Sequence, residues 1–307
     1  MDSLDRIIIG ELSANCRASF TELAEKYDVS VNTIKKRVEK LVQENVIVAF
    51  DVQIPLEALG ASFGVIFLEL AQKWSKEEIN RLGNHQNIFA MSMGFQSEAI
   101  ALMVYRNNAE MMGVIDYVRT FPSITNLRIV PLLPPLSYTM PPKSKPLDSL
   151  KKIDWRILQA LQRNGRMQLS ELSERVNASV PSVRKRLDYL RSNGFVSETV
   201  LINPGSVSQG IVVIFNLRVE EMSDGTQLSV ESLLLEKFPE SYWLSWRIAD
   251  RPELLLVFQT PNAKEVVNLQ ERILQIIPDS VIADQLILGE WEYFPDFRQE
   301  IIDSHLK

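Results

Sequence analysis

At 307 residues the chain is long enough for two or more domains with substantial cores. Its hydrophobic fraction of 46% and charged fraction of 23% are those of an ordinary soluble globular protein, and no apolar run approaches the roughly 18–20 residues of a membrane span. The single cysteine, Cys16, excludes an internal disulfide framework and a cysteine-based zinc site, and a net charge of −6 excludes coating nucleic acid through bulk positive charge.

The N-terminus reads as acidic and amphipathic rather than signal-like, which gives a cytoplasmic expectation. Leu4, Ile8 and Leu12 fall at spacings of four and predict a first helix, ended near Asn15 and Arg17. Ser19-Phe20-Thr21-Glu22 fits a capping box opening a second helix to about Tyr27. Asp28-Val29-Ser30 is a tight connection. Ser30 then caps a third helix over 31–44 that buries Ile34, Val38 and Leu41. Three short helices with a turn before the third predict a helix-turn-helix. Val46–Gln53 is extended and predicts a strand leading away from the helices, ending at Pro55.

Beyond residue 61 the period changes. Ala61–Leu70, Ile88–Gly94, Ala99–Tyr105 and Thr125–Leu133 read as strands, with Lys76–Leu82 and Asn108–Phe121 as helices. Strand–helix–strand–strand–helix–strand is the ferredoxin-like order, whose uncovered sheet face must find a partner. Residues 131–146 hold six prolines (131, 134, 135, 141, 142 and 146) and predict an extended spacer.

All of this then recurs. Leu4–Pro55 aligns without a gap against Ile153–Pro204, with identities at Asp5/Asp154, Arg17/Arg166, Ser30/Ser179, Lys36/Lys185, Arg37/Arg186 and Leu41/Leu190 among others. A second βαββαβ pattern follows over 211–288, and the tail from Trp291 predicts one more amphipathic helix. The expected division is 1–50 (first helix-turn-helix, winged-helix-like), 51–134 (first ferredoxin-like domain), 135–149 (proline-rich linker), 150–200 (second helix-turn-helix), 201–290 (second ferredoxin-like domain) and 291–307 (tail). The fold class is α+β, as two tandem units, with each sheet covering the other.

The third helix of each copy carries the candidate chemistry. Lys35, Lys36, Arg37 and Lys40 stand against Glu39, and Arg184, Lys185, Arg186 and Arg191 against Asp188; four cations less one anion leaves +3 in each stretch. A helix entering the major groove needs donors for base edges near its N-terminal end and cations for phosphates. Asn32, Thr33 and Lys35, with Ser182, Arg184 and Lys185, are the candidate base-edge readers; Lys36, Lys40 and Arg191 are the candidate phosphate contacts. Arg37 and Arg186, beside the apolar stripe, read instead as partners of Asp5 and Asp154.

These residues together resemble the Lrp/AsnC (feast/famine) transcriptional regulators. The carrying residues are Leu4-Asp5…Ile8…Leu12, Arg17…Glu22-Leu23-Ala24 and Ser30-Val31…Ile34-Lys35-Lys36-Arg37-Val38…Leu41, matched from Ile153-Asp154 to Gly194-Phe195-Val196 in the second copy. The resemblance implies a dimer fused into one polypeptide and reading double-stranded DNA. It also implies an effector site, for a small molecule such as an amino acid, at the turn after the second strand of the ferredoxin-like domain. The candidates there are Gly94, Phe95 and Ser97, with Asp250 in the second copy; the aspartate usual in the first turn and the glycine usual in the second are missing. No metal or cofactor is expected, and no enzyme motif of the GxSxG, HExxH or CxxC kind occurs. Two rivals remain. Sirohaem decarboxylases resemble the same architecture as paired unlike subunits, and a ligand-sensing module with decayed DNA contacts would keep the same fold.

Overall fold

The computed structural model describes residues 1–95, 97–133, 147–206 and 210–307. Most of the expected proline-rich linker, residues 134–146, therefore lies outside the described residues, as does Gln96 of the candidate effector turn. Of the flanking positions, 147–149 form a 3-10 turn and Pro131 lies within a strand.

The first copy runs α1 (Ser3–Ala14), α2 (Phe20–Lys26), α3 (Val31–Gln43), β1 (Ile47–Gln53), β2 (Ser62–Leu70), α4 (Lys76–Gly83), β3 (Ile88–Gly94), β4 (Glu98–Tyr105), α5 (Asn108–Val118) and β5 (Ile124–Leu133). The second runs α6 (Lys152–Leu161), α7 (Leu169–Val176), α8 (Val180–Ser192), β6 (Ser197–Ile202), β7 (Ile211–Arg218), α9 (Asp224–Lys237), β8 (Tyr242–Ile248), β9 (Glu253–Thr260), α10 (Ala263–Ile276), β10 (Val281–Tyr293) and α11 (Phe297–Ser304). Local chemistry sets the helix starts. Asp2 accepts the Asp5 N–H at 3.0 Å while Asp5 accepts the Asp2 N–H at 3.0 Å, a reciprocal box. Ser19 caps α2 by accepting from Thr21 N, two residues on, rather than through the expected box with Glu22. The α2–α3 and α7–α8 turns are closed by Asp28 (φ 51°) and Asn177 (φ 54°), counterparts of the short polar types that tolerate the left-handed region.

By contacts the chain forms two compact units that do not follow chain order. One holds both sets of three helices with β1, β6 and α11; the other holds both βαββαβ patterns.

In the helical unit β1 does not simply lead away, as its sequence suggested. It pairs antiparallel with β6, from Gln53 opposite Ser197 to Ile47 opposite Ile202. A strand's own residues carry no record of its partner, and two exposed edges of the same pattern satisfy each other. The tail also differs from expectation: Trp291–Tyr293 belong to β10, and only Phe297–Ser304 is helical. That helix, α11, lies on α6, with the His305 ring stacked 4.0 Å from Trp155 and Gln159 donating to Asp303 at 3.0 Å.

In the other unit the two sheets cover each other as expected, and their edges join as well. The strands close into a barrel in the order β10-β3-β4-β2-β5-β8-β9-β7. Val65, Ile100, Leu102 and Val130 of the first copy meet Val212, Ile214, Leu255, Val257 and Leu288 of the second inside it. The outer face of each sheet is packed by its own helices, α4 and α5 over one and α9 and α10 over the other. The junctions are unequal. β10 meets β3 from Leu288 to Tyr293, whereas β5 meets β8 only at Leu132 and Leu133. Pro131, which has no N–H, sits where the β5–β8 pairing stops and keeps only its carbonyl, which accepts from Ala249 N at 2.9 Å.

Candidate nucleic-acid interface

Each three-helix head is locked through its third helix. Ile34, Val38 and Leu41 of α3, and Val183, Leu187 and Leu190 of α8, are buried. On the flank of that stripe the expected pairs form: Arg37 Nη1 meets Asp5 Oδ1 at 2.8 Å, and Arg186 Nε meets Asp154 Oδ1 at 2.6 Å, with a second bond from Nη2 to Oδ2. In the first head Asp2 shares Arg37 at 2.7 Å; Arg186 instead lies over the Tyr189 ring at 4.4 Å. These arginines orient the helix against its own domain and leave the opposite face to solvent.

That face differs between the heads. On α3, Asn32, Lys35, Lys36 and Lys40 are exposed, while Thr33 is half-buried and its hydroxyl is bonded to the Ser30 cap at 2.8 Å. Lys35 approaches Glu39, and Lys40 approaches Glu44, each at 3.9 Å between exposed groups, a separation that holds a lysine weakly. On α8, Ser182, Arg184 and Lys185 are exposed, and no ion pair among the described residues engages Arg184 or Lys185. Pro181 stands at the second position of α8 where α3 has Asn32, removing one candidate donor from the second head.

Arg191, expected at a phosphate, is paired within the chain. It is the counterpart of Val42 rather than of Lys40, two residues nearer β6, and its guanidinium bonds Glu198 at 2.8 Å through both Nε and Nη2. Asp188 adds a third contact at 3.4 Å. This pairing fastens α8 to β6.

The effector candidates are split. Gly94 ends β3, and Phe95 beside it is 68% exposed; both border a cavity of about 250 Å³ with Lys73, Met91, Glu290 and Glu292. Ser97 lies across the turn, its carbonyl accepting from Leu70 N. Asp250 is not among the residues bordering that cavity; it sits in the β8–β9 turn, paired with Arg251 at 3.1 Å. Arg251 itself borders a separate cavity of about 360 Å³ at one mouth of the barrel, ringed by Glu69, Glu98, Arg128, Asn216, Glu253 and Asp284. This polar mouth was not found from the sequence, because its residues come from six strands with no common motif.

Sequence reading also missed the part played by Arg17 and Arg166. Their recurrence was visible, but not that each reaches into the other head: Arg17 Nη2 donates to Met167 O at 2.8 Å, and Arg166 Nη1 to Cys16 O at 2.7 Å.

The two heads are thus helix-turn-helix modules, each with the outer face of its third helix exposed. An AsnC-type helix-turn-helix domain model matches residues 1–42, and a winged helix-turn-helix DNA-binding model matches residues 150–197. Together with the AsnC relative below, these matches support the Lrp/AsnC family, with its unit present twice. An uncharacterized HTH-type transcriptional regulator of Pyrococcus horikoshii is 28% identical over 134 residues, covering 42% of this chain and 90% of that protein. Regulatory protein AsnC of Escherichia coli is 27% identical over 148 residues, covering 46% of this chain and 97% of its own. Each of these regulators therefore corresponds to about half of the chain. In fold alone, the chain is similar over 99% of its length to the siroheme decarboxylase NirDL, with a TM-score of 0.55 at 11% identity, covering 98% of that chain. The two matched domain models are helix-turn-helix models, and the sequence relatives named here are regulators. Among the described residues, no helix is long and apolar enough to cross a membrane.

Proposed function

We propose that the chain acts as a covalently fused pseudo-dimer that reads one DNA site with two unlike heads, α3 and α8 each entering a major groove. The observation that carries this is the pair of exposed basic faces at matched places in a protein of net charge −6. Asn32, Lys35 and Lys36 in one head, and Ser182, Arg184 and Lys185 in the other, are the contacts; Lys40 reaches phosphate. Tethering raises the effective concentration of the second head, so modest contacts by each give useful avidity. The cavity beside Gly94 and Phe95 is the proposed place for a small-molecule effector such as an amino acid.

Equilibrium binding of the full chain to duplex DNA, followed against salt, tests the reading. Several phosphate contacts predict a log–log salt slope of about −0.9 for each. Binding that is absent at low salt, or insensitive to salt, contradicts it.

The full-length likeness to a siroheme decarboxylase favours a second reading, an enzyme on the same fold. One feature opposes it: both histidines are engaged elsewhere, His85 against Tyr117 at 4.8 Å and His305 on Trp155. Mixing the chain with sirohaem and recording the visible spectrum, in parallel with the DNA titration, separates the two: a regulator leaves the spectrum unchanged, and a spectral shift supports the enzyme.

A further inference from the structure

The heads meet through an exchange of arginines that obeys the spacing of the repeat. Arg17 donates to the carbonyls of Gly165 and Met167, and Arg166 to those of Cys16, at 2.7 Å, and Ala18, at 3.1 Å. The copies are offset by 149 residues (166 less 17), so Cys16 and Gly165 are counterparts, as are Ala18 and Met167. Each arginine therefore grips the same two carbonyls in the opposite head. Exchanging the copies leaves these contacts unchanged.

At the centre of this arrangement the likeness fails. Cys16 is fully buried, and its thiol approaches Asp51 O at 3.6 Å. Its counterpart has no side chain. A Cβ at Gly165 would stand 2.7 Å from Cys16 Sγ, 3.1 Å from Phe50 C and 3.2 Å from Asp51 N. Gly165 is not among the residues of positive φ, so backbone freedom does not explain the glycine. Room does: one side chain fills this space, and it comes from the first copy. A second inequality lies beside it. Asp51 accepts the Arg163 N–H at 2.8 Å, whereas its counterpart Val200 has no acceptor to offer.

We infer that Cys16 and Gly165 are a knob and hole that make the head–head face selective, so that a first-copy head accepts a second-copy head and rejects another of its own kind. Two first-copy heads would bring two Cys16 side chains into space for one. Two second-copy heads would set Gly165 against Gly165, leaving a void, and would place Val200 where the Arg163 N–H needs an acceptor. The partner that fits is the other half of the same chain, and chains keep their heads to themselves instead of exchanging them. Resting on the function proposed above, this means that every chain presents one α3 and one α8 to DNA.

The test is the full-length Gly165→Cys variant refolded in a glutathione redox buffer. A thiol at 165 lies within bonding reach of Cys16 Sγ. Two thiols would join as a disulfide, with their protons and two electrons passing to glutathione disulfide, which leaves as two glutathiones. Refolding matters because burial pushes the native Cys16 thiol up to about 12, which slows its oxidation once folded. The expected product is a single chain with both thiols consumed and no covalent dimer. Covalent dimers, or two free thiols in a folded chain, would overturn the inference. Should this variant not fold, Gly165→Ala and Cys16→Ala, alone and combined, give the same answer by urea unfolding. Gly165→Ala should lower the midpoint, and less so when Cys16 is also alanine; a Gly165→Ala midpoint unchanged from the parent, or an equal loss in both backgrounds, overturns it. Neither readout involves DNA, so failure here is distinguishable from failure of the DNA-binding reading.

Discussion

Alanine at both Lys35 and Lys36 is expected to weaken DNA binding by roughly one to two orders of magnitude near 0.1 M salt, and alanine at both Arg184 and Lys185 by a similar factor. The magnitude follows from the contacts removed. A lost base contact costs on the order of 1–3 kcal/mol, and each lost phosphate contact lowers the salt slope by about 0.9. These four residues are exposed on the outer faces of α3 and α8, with only Lys35 near an acid, at 3.9 Å. Arg191→Ala provides the internal control. Its charge is already spent on Glu198 and Asp188, so DNA affinity should fall by less than about threefold, well under 1 kcal/mol. Fluorescence anisotropy on one labelled duplex across a salt series measures all three. If Arg191→Ala proves as damaging as either double change, the assignment of the reading faces is wrong.

Asp154→Ala is expected to be the costliest single substitution in the helical unit, at about 3–5 kcal/mol. Its side chain is 0% exposed and holds Arg186, itself only 19% exposed, while also accepting Lys151 N–H at 2.7 Å. Removing the carboxylate leaves a guanidinium beside the core and an unsatisfied helix-start donor. Against total stabilities of about 5–15 kcal/mol, that loss can unfold the unit. The matched change, Asp5→Ala, should cost less, about 1–2 kcal/mol, because Asp2 also binds Arg37 at 2.7 Å and keeps it paired. Urea unfolding of both variants checks the ranking. Equal losses, or a larger loss for Asp5→Ala, would show that Asp2 does not share the charge.

What could be read from the sequence was what repeats along one element. Ile34, Val38 and Leu41 announce a buried helix face by spacing alone, and the joint recurrence of Asp5 with Arg37 announces their pairing. The boundaries of the strand β3 were legible as well. What could not be read was what each element meets. β1 and β6 carry no sign that they pair, and Arg17 gives none that its carbonyl partners lie some 150 residues away. Nor does the charge of Arg191 announce its pairing with Glu198. β9 is buried along its whole length, so period-two reasoning had no exposed face to mark its register in the barrel.

Whether one chain reads DNA as two unlike heads held in a fixed pair is decided by selection from a random-sequence duplex pool with the full chain, followed by footprinting of the winning site. Two unlike half-sites are expected on one face of the duplex, roughly 34 Å or a multiple of that apart, protected together by a single chain. Strictly symmetric half-sites, or protection of both halves only when two chains are bound, would contradict it.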